Sequence, residues 1–179
     1  MSNLEKIYLG GGCFWCLEAV FQRVKGIKTV KSGYSGGDIS NPSYEDVATG
    51  TTNYAEVVEI SFDPSEISIK DILEIFFEIH DPTTLNRQGA DIGTQYRSAI
   101  FVTNPHQLME SLKKLNEINL SGKYSTPTVT QVSKFEKFYL AEDYHQNFYN
   151  NNPNYPYCRV VIDPKIKKLI DIKKNKDII

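Results

Sequence analysis

The sequence predicts an α/β fold, with helices layered on a sheet. Segments with strand-like patterning alternate with segments of helical spacing, and Gly, Pro or a capping residue stands at most of the switches. With 179 residues and 40% hydrophobic content, the chain can bury a substantial core without disulfide staples. One domain over residues 1–179 is expected, ending in a lysine-rich tail from 166 to 179.

Ile7, Tyr8 and Leu9 enter Gly10-Gly11-Gly12, which reads as a strand running into a permissive turn. Residues 13–24 follow, with Phe14, Leu17, Val20, Phe21 and Val24 spaced along one helical face. Residues 27–35 read as a second strand. Turn chemistry at Gly36-Gly37-Asp38 and Asn41-Pro42-Ser43-Tyr44 predicts an extended loop. Residues 54–62 form the clearest strand: Tyr54, Glu56, Val58, Ile60 and Phe62 share one face, and Glu59, opposite, is expected in solvent. Ser68 caps a helix reaching His80, with Ile69, Ile72, Leu73, Phe76 and Phe77 as its apolar stripe, and Asp81-Pro82 stops it.

Residues 83–96 read as a polar loop and 97–103 as a strand. Asn104-Pro105 starts a helix, Asn as cap and Pro in the first turn, that ends near Gly122. Its buried face is expected at Leu108, Leu112, Leu115 and Ile118. A short strand at 129–132, a short helix at 142–149 and an Asn- and Pro-rich loop at 150–157 follow. Residues 165–179 are expected to fray.

Twenty basic and 22 acidic residues leave a net charge of -2, which carries no nucleic-acid footprint. The first twelve residues lack the basic and apolar regions of a signal peptide, and no apolar run reaches membrane-spanning length. The expectation is a cytoplasmic monomer without membrane or nucleic-acid partners. Stable structural disulfides are rare there, so Cys13-x-x-Cys16 suggests redox or metal chemistry.

Cys13 follows three glycines at a helix start, where unpaired amides and the helix dipole favour a thiolate. A small buried hydrophobe is an equal reading of the same placement. Cys16, one turn later, fits either a disulfide partner or an inert core residue. Cys158 follows the Asn-Pro loop, and a mobile segment there could bring its thiol to Cys13. Glu56 lies on an apolar strand face, where burial raises a carboxyl pKa and makes a proton donor; a strand-end Glu reaching water is the bland alternative. Phe14 and Trp15 could wall a pocket for a methyl group or belong to the core. Tyr44, Asp91 and Tyr96 lie in loops and offer hydrogen bonds.

Gly12-Cys13-Phe14-Trp15 with Glu18 resembles the signature of the peptide methionine sulfoxide reductase A family. The resemblance continues through Ser32-Gly33-Tyr34, Asn41-Pro42-Ser43-Tyr44-Glu45-Asp46-Val47, Ala55-Glu56-Val57-Val58 and Asp81-Pro82-Thr83. Gly93-Thr94-Gln95-Tyr96-Arg97-Ser98-Ala99 and Ala141-Glu142-Asp143-Tyr144-His145-Gln146 extend it over most of the chain between Leu9 and Cys158. It implies a two-layer ferredoxin-like α/β sandwich with long coil segments, and reduction of the S epimer of methionine sulfoxide, free or in proteins. Cys13 matches the nucleophile, Glu56 the acid that protonates the sulfoxide oxygen, and Phe14 and Trp15 the methyl pocket. Tyr44, Asp91 and Tyr96 match supporting hydrogen-bonding positions, and Cys158 resembles the resolving cysteine of many members. A sulfenic acid, an intramolecular disulfide and a thioredoxin-like reductant are implied, with no metal, flavin or nicotinamide. Cys16 stands where many members carry Gly, so it is an alternative resolving thiol. Asn53-Tyr54 stands where Gly-His is common.

Two other readings compete. A general thiol–disulfide oxidoreductase would use Cys13 and Cys16, but leaves Glu56 without a task. A zinc module would draw ligands from Cys13, Cys16, Cys158 and His145, though no second metal-spaced pair accompanies the first.

Overall fold

The computed structural model describes residues 3–176. The chain opens with β1 (Glu5–Gly10), α1 (Phe14–Phe21) and β2 (Ile27–Ser35), then α2 (Tyr44–Ala48), β3 (Ala55–Phe62) and α3 (Ile69–Ile79). A small hairpin of β4 (Arg87–Gln88) and β5 (Asp91–Ile92) precedes β6 (Ala99–Val102) and α4 (Pro105–Ser121). The chain continues through β7 (Gln131–Lys134), β8 (Phe138–Leu140), α5 (Phe148–Asn151) and α6 (Asp163–Lys176). Six strands form one sheet in the order β7-β6-β1-β3-β2-β8, antiparallel except for the parallel β6–β7 pair. The mixed α/β class read from the alternation is the class found.

β1 and β3 run through the middle of the sheet, and one face of it carries the main core. Leu9, Val58, Ile60 and Ile100 pack there with Leu17 and Val20 of α1 and Leu73 and Phe76 of α3. Side chains alternate across a strand, so Glu56 comes up on this same face. It lies opposite Tyr34 of β2 in the register.

Alternation misplaces Glu59. It is 7% exposed, accepts a hydrogen bond from the Tyr8 hydroxyl at 2.9 Å, and pairs with Lys6 at 3.3 Å. The second sheet face is covered as well: Tyr8, Val57 and Phe101 cluster there under Phe135 and Phe138, and Tyr8 stacks on Phe135 at 4.0 Å. Covered on both sides, β3 has no solvent face.

The helix starts follow their caps. Ser68 Oγ accepts from the Asp71 amide, and Asn104 Oδ1 accepts from the Gln107 amide at 2.8 Å. Gly122, at φ +73°, ends α4. The expected inner face of α4 needs correction. Leu108 and Leu112 are exposed, and the buried positions are Gln107 and Ser111, with Leu115 and Ile118 partly covered. Gln107 turns the helix inward because its amide group bonds the Thr103 amide and the Lys6 carbonyl, at 2.9 and 3.0 Å.

Four stretches differ from what their composition suggests. α2 stands within the expected loop, fixed by a capping box between Ser43 and Asp46. Residues 83–96 hold the β4–β5 hairpin and a 3₁₀ turn, Thr94–Tyr96. The expected helix at 142–149 is a 3₁₀ turn, Asp143–His145, followed by α5. The tail does not fray within the described residues: Ile162, Ile166 and Leu169 form an inward stripe, and α6 packs on α1 and α3. Residues 177–179 of that tail lie outside the described residues.

Candidate active site

The glycine turn after β1 delivers Cys13 to the end of a central strand. Gly12 has φ +90°, and a Cβ there would meet Gln88 Cγ at 2.8 Å. Its amide donates to the Tyr96 carbonyl at 3.2 Å, which holds the turn against the 3₁₀ turn. Cys13 is the N-cap of α1, in extended conformation, and is 9% exposed.

A cavity of about 200 Å³ opens over this thiol. Cys13, Phe14, Trp15, Tyr44, Glu56, Asp91 and Tyr96, drawn from five separate stretches of chain, all line it. Glu56 is 2% exposed, so it is not a strand-end carboxylate reaching water. The Phe14 amide donates to Glu56 Oε1 at 3.2 Å, and the carboxyl lines the same cavity as the Cys13 thiol.

Other lining residues gave weaker signals in the sequence. His145, Tyr155 and Tyr157 complete the wall. The Trp15 indole N–H donates to His145 Nδ1 at 3.1 Å, and the indole stacks on Phe148 at 3.6 Å. Glu142 accepts from the Tyr34 hydroxyl at 3.0 Å and the Tyr44 amide at 3.1 Å, bracing Tyr44. His145 and Glu142 fall in a stretch that carries the family resemblance, and Tyr157 is the neighbour of Cys158.

Burial dominates the electrostatics here. It raises the Cys13 thiol well above its usual range, and the neighbouring Glu56 adds to the rise. The low-pKa thiol expected at a helix start is therefore not the resting state. Desolvation outweighs the Trp15 amide, which favours the thiolate. Burial likewise raises Glu56 to about 8; the Phe14 amide opposes this and the charge of Asp91 adds to it. At neutral pH the carboxyl is largely protonated. Tyr44 and Tyr96 are also raised by burial first, so both keep their hydroxyl protons.

A second cavity, of about 750 Å³, shares Cys13, Asp91 and Tyr157 with the first and adds Cys16, His80 and Lys165. The Tyr157 hydroxyl donates to Asp91 Oδ2 at 2.5 Å where the two spaces meet. Cys158 is fully buried at the start of a π-helical turn, Cys158–Ile162, and lines neither cavity. The zinc reading fails on placement, because among the described residues no three His, Cys, Asp or Glu side chains gather to hold a metal ion.

Comparison with known proteins agrees in sequence and in structure. The family model for peptide methionine sulfoxide reductase matches residues 5–178. The peptide methionine sulfoxide reductase MsrA of Sulfolobus acidocaldarius is 57% identical over 169 residues, covering 93% of this chain and 94% of that protein. The crystal structure of Mxr1 from Saccharomyces cerevisiae in reduced form superposes with a TM-score of 0.81 at 36% identity, over 87% of this chain and 89% of that one. Mxr1 in complex with Trx2 superposes with a TM-score of 0.57 at 26% identity, over 76% and 79%. With the family model spanning nearly its whole length, the chain belongs to the peptide methionine sulfoxide reductase family.

Proposed function

We propose that this chain reduces the S epimer of methionine sulfoxide, free or in proteins, with Cys13 as nucleophile and Glu56 as proton donor. The observation that carries the reading is the pairing of Cys13 with a buried, largely protonated Glu56 in one aromatic-walled cavity. Sulfoxide oxygen leaves poorly unless protonated, so the acid must stand beside the attacking sulfur. Glu56 gives its proton to the oxygen and regains one as the Cys13 thiol ionises. Phe14 and Trp15 hold the methyl group, Tyr44 and Tyr96 direct their hydroxyls at the oxygen, and Asp91 orients the site through Tyr157.

Net, the oxygen passes from the methionine sulfur to the Cys13 sulfur, and the thiol proton ends on it. Methionine leaves as the thioether, reduced by two electrons, and Cys13 becomes a sulfenic acid. A second thiol condenses with it, losing water. A thioredoxin-like dithiol then reduces the disulfide; the relative seen in complex with Trx2 supports such a donor. The reading takes residues 1–179 as one catalytic domain, a cytoplasmic monomer that needs no metal, flavin or nicotinamide.

Offering the purified protein each sulfoxide epimer separately, with a dithiol reductant, tests it. The S epimer should be consumed and the R epimer left; equal consumption, or none, refutes it. A plain thiol–disulfide oxidoreductase would reduce insulin disulfides and leave both epimers.

A further inference from the structure

The structure separates the two thiols available to close on Cys13. Cys158 sits fully buried in the turn that leads into α6, outside both cavities that Cys13 lines. Cys16 lies one helical turn after Cys13 and lines the larger cavity with it. Its amide donates to the Cys13 carbonyl at 3.1 Å, so the two residues are held in one turn of backbone. Only two residues separate them in sequence, so a disulfide between them closes within this turn by local adjustment.

The surroundings of Cys16 are those of a working thiol. Its sulfur contacts the Tyr157 hydroxyl at 3.7 Å. That hydroxyl gives its only proton to Asp91, so the thiol is the donor to the tyrosine oxygen. Lys165 lines the same cavity, its ammonium anchored on the Ile79 carbonyl at 2.5 Å.

We propose that Cys16 is the thiol that resolves the Cys13 sulfenic acid, from the larger cavity, with Tyr157 and Lys165 as its positioning residues. The proposal rests on the sulfoxide-reductase reading above. The Cys16 sulfur, ionised, attacks the sulfenic sulfur; an S–S bond forms and the S–O bond breaks. Hydroxide leaves and takes up the proton lost by Cys16, as water. Cys16 is oxidised by one electron and Cys13 reduced by one. Burial raises the Cys16 thiol to about 11, aided by Asp91 and Glu56. Lys165, the largest opposing influence, pulls it down, so Lys165 is the positive charge that favours the attacking form.

The test uses one equivalent of methionine S-sulfoxide without reductant. Samples are acid-quenched over time, digested with trypsin under non-reducing conditions and mapped by mass. Cleavage after Lys6 and Arg23 leaves both Cys13 and Cys16 in one peptide, 7–23. The first disulfide to form should appear as that peptide lighter by two hydrogens, in wild type and in Cys158→Ser alike. Cys16→Ser should release methionine and accumulate sulfenic acid that dimedone captures. Lys165→Met should slow the disulfide step roughly tenfold at pH 7 and move its pH midpoint upward. A first disulfide joining peptide 7–23 to the peptide carrying Cys158, or prompt disulfide formation in Cys16→Ser, overturns the proposal. Release of no methionine by wild type would instead overturn the reductase reading on which it rests.

Discussion

The Phe14 amide and the Glu56 carboxyl meet at 3.2 Å, tying the first residue of α1 to the middle of the sheet. This bond places the carboxyl beside Cys13 and stabilises its charged form. Burial opposes that stabilisation and prevails, which leaves the pKa near 8. The acid is thus fixed in position without being held ionised.

Another part of the pocket wall depends on Trp15 and His145. Trp15→Phe keeps an aromatic ring but removes the indole N–H that His145 Nδ1 accepts. Loss of one such bond, about 1 to 1.5 kcal/mol, should lower kcat/KM roughly tenfold. Steady-state kinetics on a sulfoxide peptide measures this; an unaltered kcat/KM would show the bond has no part in shaping the pocket.

Glu18 carries a pH dependence of stability. It is 1% exposed in α1, accepts from the Ser32 hydroxyl at 3.2 Å, and is raised by burial from 4.5 to about 7. A carboxyl raised on folding binds its proton more tightly when folded. Its contribution is therefore full below pH 4.5 and is lost as pH rises through about 7. Across that window wild type should lose up to about 3 kcal/mol that Glu18→Gln retains. Urea unfolding of both proteins at pH 5 and pH 8 reads the difference, and parallel slopes would contradict it.

Docking of α6 makes a further claim. Leu169 is fully buried, so Leu169→Ala should cost about 2–4 kcal/mol in unfolding free energy. Equilibrium denaturation decides it: a tail lying free of the core would show no measurable loss.

Legibility in the sequence followed how local each cause is. The starts of α3 and α4 were readable because Ser68 and Asn104 bond amides within their own first turns. Glu56 was readable because an acid among Val58, Ile60 and Phe62 breaks an apolar alternation. Glu59 was misread because its partners, Tyr8 and Lys6, lie more than fifty residues away in sequence. The face of α4 was misread because Gln107 is buried by its bonds to β1 and the turn before it, and hydrophobic periodicity does not register such bonds. In the tail, the lysines masked the apolar spacing of Ile162, Ile166 and Leu169. The expected thiolate at Cys13 failed for a related reason: the helix start is visible in the sequence, and the depth of burial that overrides it is not.

The most direct test is single-turnover methionine release by wild type and Glu56→Gln between pH 6 and pH 9. Wild type should slow as pH rises through about 8, where Glu56 loses the proton it delivers. Glu56→Gln should be slower by roughly 10²–10⁴-fold at pH 7 and should lack that inflection. A Glu56→Gln protein that releases methionine at the wild-type rate would contradict the account.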